Sequence, residues 1–362
     1  MKVCVYAICK NESKFVDRWM DSMCEADGVY VLDTGSSDET VRLLQERGAT
    51  VEQEVISPWR FDTARNRSLE LVPEDVDICI CTDLDEILHT GWRDLLERAW
   101  VPGTTRAAYR YTWNFNPDGS EGYVFWTEKA HSRHGYQWTH PVHEVLTWMG
   151  EGDEGGKVYV EGMQLDHRAD NTKSRSQYLP LLELSVMEAP WDDRNMHYLG
   201  REYYFHRMWK EAIITLKRHL SLPSATWADE RCASMRYLSR CYQNLGDAPE
   251  SRRWLFRAVA EAPHLREPYL ELARLLYENG EWDGVVFLAR EALKITERPR
   301  TYICEADAWG SLPWDLLSLG LFYTGRYAQA LETVKKAAEL SPKDERIARN
   351  LQIMSAKAEQ SI

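Results

Sequence analysis

The apolar and polar positions change rhythm twice along this chain. "KVCVYAIC" (2–9) is an unbroken apolar run, the pattern of a strand covered on both faces. A helical pattern runs from Glu12 to about Ala26. "GVYVLD" (28–33) predicts a second strand, and "TGSS" turns from it into a helix starting near Ser37 or Asp38. "GATVEQEV" (48–55) predicts a third strand, and "FDTARNRSLELV" (61–72) a helix with Pro73 beyond its end. "DICICTD" (77–83) predicts a fourth strand, with a helical pattern after it. Strands alternating with helices imply a parallel, doubly wound sheet. Cys79 and Cys81 are expected on opposite faces of their strand. Beyond Gly103, "AAYRYTWNF", "GYVFWTEKAHS" and "KVYVEGMQLDHR" predict antiparallel strands rich in Trp and Tyr.

The rest of the chain carries almost no strand signal and repeats itself at about 34 residues. Small residues recur at one position (Gly200, Ser239, Ala273, Ser318), each preceded by Leu199, Leu238, Leu272 or Leu317. Turn glycines follow at Gly246, Gly280 and Gly325. Ala258, Ala292 and Ala337 recur in the second helices, where the first copy has His219, and Pro223, Pro263 and Pro342 close the copies. These four segments resemble tetratricopeptide repeats. In that pattern, small residues let paired helices approach and large ones fill the gaps between repeats. The expected organisation is an α/β domain at 1–175, a linker helix at 176–192, four repeats at 193–344 and a capping helix at 345–362.

Composition narrows the function. A net charge of −13 disfavours a broad nucleic-acid contact, which needs surplus Lys and Arg. The eight cysteines show no zinc-like pairing and are expected to be reduced and mostly buried. There is no secretory pattern and no run near the roughly 18 apolar residues of a membrane span, so the expected location is the cytoplasm.

The candidate chemistry collects at one edge. In an open α/β sheet, ligands bind beyond the carboxyl ends of the strands. Four polar clusters follow the four predicted strands in order: "KNE" (10–12), "DTGSSDET" (33–40), "WRFDTARN" (59–66) and "TDLDE" (82–86). Paired carboxylates at a strand end suit a hard divalent cation that accepts phosphate oxygens. Asp33 suits a ribose hydroxyl, and Arg65 and Lys10 suit phosphate or base.

This order of clusters resembles a family-2-type glycosyltransferase of the GT-A fold, a Rossmann-like, mostly parallel sheet with antiparallel additions. The resemblance implies an enzyme that takes a nucleotide-sugar, commonly UDP-linked, with Mn²⁺ or Mg²⁺. It implies Asp85 as the direct metal ligand, Asp83 near metal or ribose, and Asp33 on the nucleoside. It places Lys10, Asn11, Glu12, Ser36, Asp62, Arg65, Asn66 and Leu84 along the nucleotide-sugar pocket. His167, at the end of a predicted strand, matches the late His that adds a metal or diphosphate contact, with Arg168, Lys173 and Arg175 adding phosphate charge. In "QWTHPVHEVL" (137–146), Glu144 is the first choice of base for an inverting transfer and His143 the second. If 142–146 is a strand, those two take opposite faces.

The joint architecture is similar to bacterial peptide S-glycosyltransferases, which implies a protein or peptide acceptor. Two alternatives accompany that reading. One is a transferase acting on a saccharide or lipid-linked acceptor, with the repeats used for homodimerisation. The other is a non-catalytic tetratricopeptide scaffold carrying a decayed transferase domain.

Overall fold

The computed structural model describes residues 1–116, 119–170 and 176–360. It forms two compact units, Met1–Ser185 and Val186–Ile362. The first contains β1 (Val3–Cys9), α1 (Val16–Ser22), β2 (Gly28–Asp33), α2 (Thr40–Glu46), β3 (Thr50–Gln53), α3 (Phe61–Glu70), β4 (Ile78–Cys81), β5 (Glu86–Leu88), α4 (Trp92–Ala99), β6 (Thr104–Thr112), β7 (Val124–Ser132), β8 (Tyr136–Thr139), β9 (Val145–Trp148) and β10 (Gly156–His167). α5 (Tyr178–Glu188) follows.

Eight strands make one mixed sheet in the order β3-β2-β1-β4-β7-β6-β10-β5. β1, β2, β3 and β4 run parallel, as the apolar runs required, and every residue of β1 is buried. The chain moves from β1 outward to β3 and then returns to place β4 on the other side of β1. That reversal opens a crevice at the carboxyl ends of β1 and β4. One face is packed by α1 and α4, where Trp19 and Trp92 are fully buried and the Trp19 indole donates to Thr82 at 3.1 Å.

Several local expectations change. Cys79 and Cys81 share one face and pack with Cys4 and Tyr6, because residues two apart on a strand point the same way. The later strands are not purely antiparallel: β10 runs parallel to β6 and antiparallel to β5. β5 itself stands where a helical pattern was expected. β8 and β9 form a separate hairpin, and β9 begins only at Val145, so His143 and Glu144 lie in the loop between the two strands. A buried relay ties this hairpin to the main sheet. The Trp138 indole donates to the Tyr6 hydroxyl at 2.8 Å, and Tyr6 bonds His131 Nε2 at 2.7 Å.

The described residues of the second unit are helical apart from turns and the 295–311 connection: α6 (Asp193–Phe205), α7 (Trp209–Ser221), α8 (Ala228–Asn244), α9 (Ala248–Glu261), α10 (Glu267–Glu278), α11 (Trp282–Lys294), α12 (Leu312–Tyr323), α13 (Tyr327–Leu340) and α14 (Glu345–Glu359). They pack as successive antiparallel pairs in a tetratricopeptide-like solenoid. The small residues do the expected work: a Cβ on Gly200 would stand 2.6 Å from the buried Leu216 side chain of the partner helix. Gly246, Gly280 and Gly325 close their turns in the left-handed region, and Arg207 adopts the same conformation in the first pair, where no turn glycine exists. Three inter-pair connections are short (222–227, 262–266, 341–344), but α11 and α12 are joined by residues 295–311. All eight cysteines are unpaired, and Cys24 alone is exposed. Among the described residues, no helix is long and apolar enough to cross a membrane.

Candidate functional site

The edge beyond β1, β2 and β4 brings the expected clusters together. Cys9 pairs with Asp33 in register, so the "KNE" and "DTGSSDET" turns lie side by side. Asp33 is fully buried and accepts the amide hydrogens of Gly35 and Ser36 at 3.1 and 3.0 Å, with Gln53 donating at 3.3 Å. Burial works to raise its pKa, but these bonds outweigh it and hold Asp33 below the usual carboxylate range. Asn11, in a left-handed conformation, gives its amide hydrogen to Ser36 Oγ at 2.8 Å and accepts from the Ser37 amide at 2.7 Å. Lys10 is exposed, and the buried Glu12 receives its turn from Thr40, whose hydroxyl accepts the Glu12 amide at 2.7 Å.

The "TDLDE" carboxylates separate into three roles. Glu86 is fully buried. It accepts from the Tyr111 hydroxyl at 2.6 Å, the Lys129 ammonium at 2.7 Å and the Asp83 amide at 2.9 Å. It neither caps a helix nor opens to a ligand. Asp83 lies 3.0 Å from Arg65 and 3.3 Å from Lys129. Burial opposes its charge, but those two cations prevail and depress its pKa strongly. Asp85 faces His167, with Nε2 to carboxylate oxygen at 3.3 Å. The β5–β10 pairing creates that meeting by setting His167 opposite Glu86. His167 Nδ1 donates to the Trp113 carbonyl at 2.9 Å, which aims Nε2 at Asp85. Burial lowers the His167 pKa, yet the hydrogen bond and charge of Asp85 keep it above the ordinary value.

The remaining expected residues are held by the protein itself. Glu144 is hydrogen-bonded to Arg65, so its charge is already compensated. His143 has a left-handed backbone and its ring lies 5.7 Å from that of Tyr178. Asn66 clamps β8, donating to the Trp138 carbonyl and accepting the Trp138 amide, both at 2.8 Å. Asp62 pairs with Arg60 at 2.8 Å. The Leu84 side chain is fully buried in the core, leaving only its main chain at the edge. Lys173 and Arg175 lie outside the described residues. Lys129, which sequence reading did not single out, is the central cation here. Its only sequence signal is a lysine within the half-buried run of β7.

A second constellation lies within the repeats, on the first helices of successive pairs. Residues 295–311 fold against α6, α8 and α10. The Tyr302 ring stacks on Tyr198 at 5.9 Å with 16° between planes, and meets Trp227 edge-on at 5.8 Å. Its hydroxyl donates to Glu230 at 2.7 Å. Glu305 accepts from Arg236 at 2.5 Å and Arg240 at 3.2 Å, and both arginines also share Glu271. The Glu305 amide donates to Glu267 at 2.9 Å. Behind Tyr302, His219 approaches Glu230 at 3.3 Å, and Ser234 Oγ bonds Nδ1 of both His197 and His219. Burial works to raise the Glu230 pKa, but bonds from His219 and Tyr302 draw it down to about 2. Asp193, His219 and Glu230 each bring one ligand atom within 4.8 Å of the others, although Tyr302 already occupies Glu230.

No protein-family model matches the chain, and no curated protein matches it. Solved structures similar to it are repeat proteins. MamA is 17% identical, with 46% of this chain and 83% of that chain covered and a TM-score of 0.36. YrrB, described as "a TPR protein with an unusual peptide-binding site", is 15% identical, covering 48% of this chain and 81% of its own, with a TM-score of 0.37. Yeast Tom70 is 13% identical and covers 52% of this chain at a TM-score of 0.39. The match spans only 37% of Tom70. No glycosyltransferase neighbour is found. The expected membership in the family-2 transferases is therefore corrected, and with it the GT-A assignment, the enzymatic class and the UDP donor. The architecture is a mixed α/β sheet and a tetratricopeptide-like solenoid.

Proposed function

We propose that this chain is a non-catalytic scaffold whose repeats hold a non-helical stretch of polypeptide on the first helices of their pairs. One observation carries this reading: the α6–α8–α10 face already receives such a stretch through side chains suited to it. An aromatic platform (Tyr198, Trp227) stands beside a guanidinium pair (Arg236, Arg240) and a carboxylate that accepts a main-chain amide (Glu267). Planar guanidiniums recognise carboxylates with defined geometry, and aromatic platforms recognise rings. The test is an array of short peptides probed with the full chain and with Arg236→Glu/Arg240→Glu. Capture of acidic, aromatic peptides by the native chain and loss of capture by the variant are expected. Equal capture by both would contradict the assignment of the face.

A separate observation supports a ligand role for the α/β unit. His167 has one ring nitrogen anchored and the other aimed at Asp85, the arrangement of an anchored imidazole ligand. The donor set of one imidazole and one carboxylate, with Asp83 nearby, fits Mn²⁺ or Mg²⁺, which would supply positive charge for a phosphate-bearing ligand. Lys10, Asn11, Ser36 and Arg65 would line the same edge for such a ligand. Thermal unfolding with Mn²⁺, alone and with a nucleoside diphosphate, tests this. A stabilisation present in the native chain and lost in Asp85→Asn supports the site. A stabilisation unaffected by the substitution removes it.

A further inference from the structure

We propose that residues 296–307 are an internal ligand of the repeat face, displaced by a partner peptide that presents an aromatic ring followed three residues later by a carboxylate. This rests on the scaffold reading and names the partner's chemistry.

Three observations support it. First, joining α11 to α12 does not require this length of chain: the other inter-pair connections, such as 262–266, are short turns. Second, the segment is pinned at its neck. The guanidinium of Arg266 donates to the Ile295 carbonyl at 2.9 and 2.6 Å and to the Ala308 carbonyl at 3.2 Å, and lies 4.0 Å above the Trp309 ring. The stretch between those anchors can leave the face while the helices it joins stay in place. Third, the two arginines of the face share a carboxylate of the segment as well as one of the repeats. Arg236 and Arg240 bring two positive charges, and their repeat-borne partner, Glu271, brings one negative charge. Glu305 supplies the second. Its contacts are those of a bound peptide: a carboxylate on the arginines, an amide on Glu267, and the Tyr302 ring on Tyr198 with its hydroxyl on Glu230. A partner carrying the same two groups at the same spacing satisfies the same positions.

The test uses the full chain with residues 297–306 replaced by a short Gly/Ser linker. A fluorescein-labelled peptide copies residues 299–308 with Cys304→Ser. Anisotropy should give a Kd at least ten-fold lower for the shortened chain than for the native chain. Peptides with Tyr302→Ala or Glu305→Gln should bind at least ten-fold more weakly. If the shortened chain binds unrelated peptides equally well, the named chemistry is wrong and the scaffold reading survives. If the folded variant binds no peptide, both fall. Should the shortened chain fail to fold, Cys304 reports on the segment in the full chain, because its thiol is buried there. Mass-spectrometric alkylation of Cys304 should accelerate at least ten-fold in Tyr302→Ala/Glu305→Gln. An unchanged rate would overturn the proposal.

Discussion

The Lys129 ammonium sits 2.7 Å from the carboxylate of Glu86, which has no exposed side-chain surface. Burial lowers the Lys129 pKa, but Glu86 and Asp83 overcome it and keep the amine charged. Breaking a buried pair by removing one partner leaves an uncompensated charge, which costs about 3–5 kcal/mol. Lys129→Met should therefore lower the unfolding free energy of the α/β unit by about that amount. Adding Glu86→Gln should restore part of the loss, giving a coupling energy above ~1 kcal/mol in a double-mutant cycle by urea unfolding. Additive losses would show that the pair is not coupled.

Gly200 faces Leu216 across the first helix pair at a distance no side chain tolerates. Replacing a helical glycine ordinarily gains up to about 1 kcal/mol. Here overpacking against a fully buried leucine wins, at about 1–3 kcal/mol. Gly200→Val should lower the denaturation midpoint of the repeats. A raised midpoint would show that α6 and α7 are not so closely packed.

His131 predicts an acid-sensitive α/β unit. Burial is the main cause that lowers its pKa, to about 4, against an ordinary value near 6.5. Its Nδ1 donates to the Ser132 carbonyl at 2.8 Å, leaving Nε2 to accept from Tyr6. Between pH 6.5 and 4 the unfolded chain binds the extra proton and the folded chain does not. Stability from this group is therefore intact above about pH 6.5 and falls as pH drops toward 4, by roughly 3 kcal/mol at ~1.4 kcal/mol per pKa unit. Urea unfolding of His131→Gln across this window should show a correspondingly shallower pH slope. An unchanged slope would contradict the assignment.

Glu305 ties residues far apart in the chain through Arg236, which is 2% exposed. Glu305 itself keeps 30% of its side chain exposed, so solvent discounts the pair. Glu305→Gln should cost about 1–2 kcal/mol in the repeat unit, and 0.5 M salt should narrow the difference. No loss at low salt would mean that Glu271 alone satisfies both arginines.

What the sequence made legible was local. The apolar runs located β1, β2 and β4, and the 34-residue rhythm located the close approach at Gly200 and the turns at Gly246, Gly280 and Gly325. The partners of the site residues were not legible where distant strands supply them. The burial of Glu86 within "TDLDE" was not legible, because Lys129 and Tyr111 reach it only through the pairing of β4, β7 and β6. The ion pair of Glu144 was not legible, because its partner Arg65 stands on α3. Arg207 occupies a left-handed turn that sequence reading reserves for glycine, and the 295–311 segment has no periodicity to announce where it folds.

The central claim is that the α6–α8–α10 face binds polypeptide. Titration calorimetry of the chain lacking residues 297–306 with the 299–308 peptide measures it directly. The scaffold account predicts one-to-one binding that Arg236→Glu/Arg240→Glu abolishes. Absence of binding by the folded chain, or binding that survives the double substitution, would contradict it.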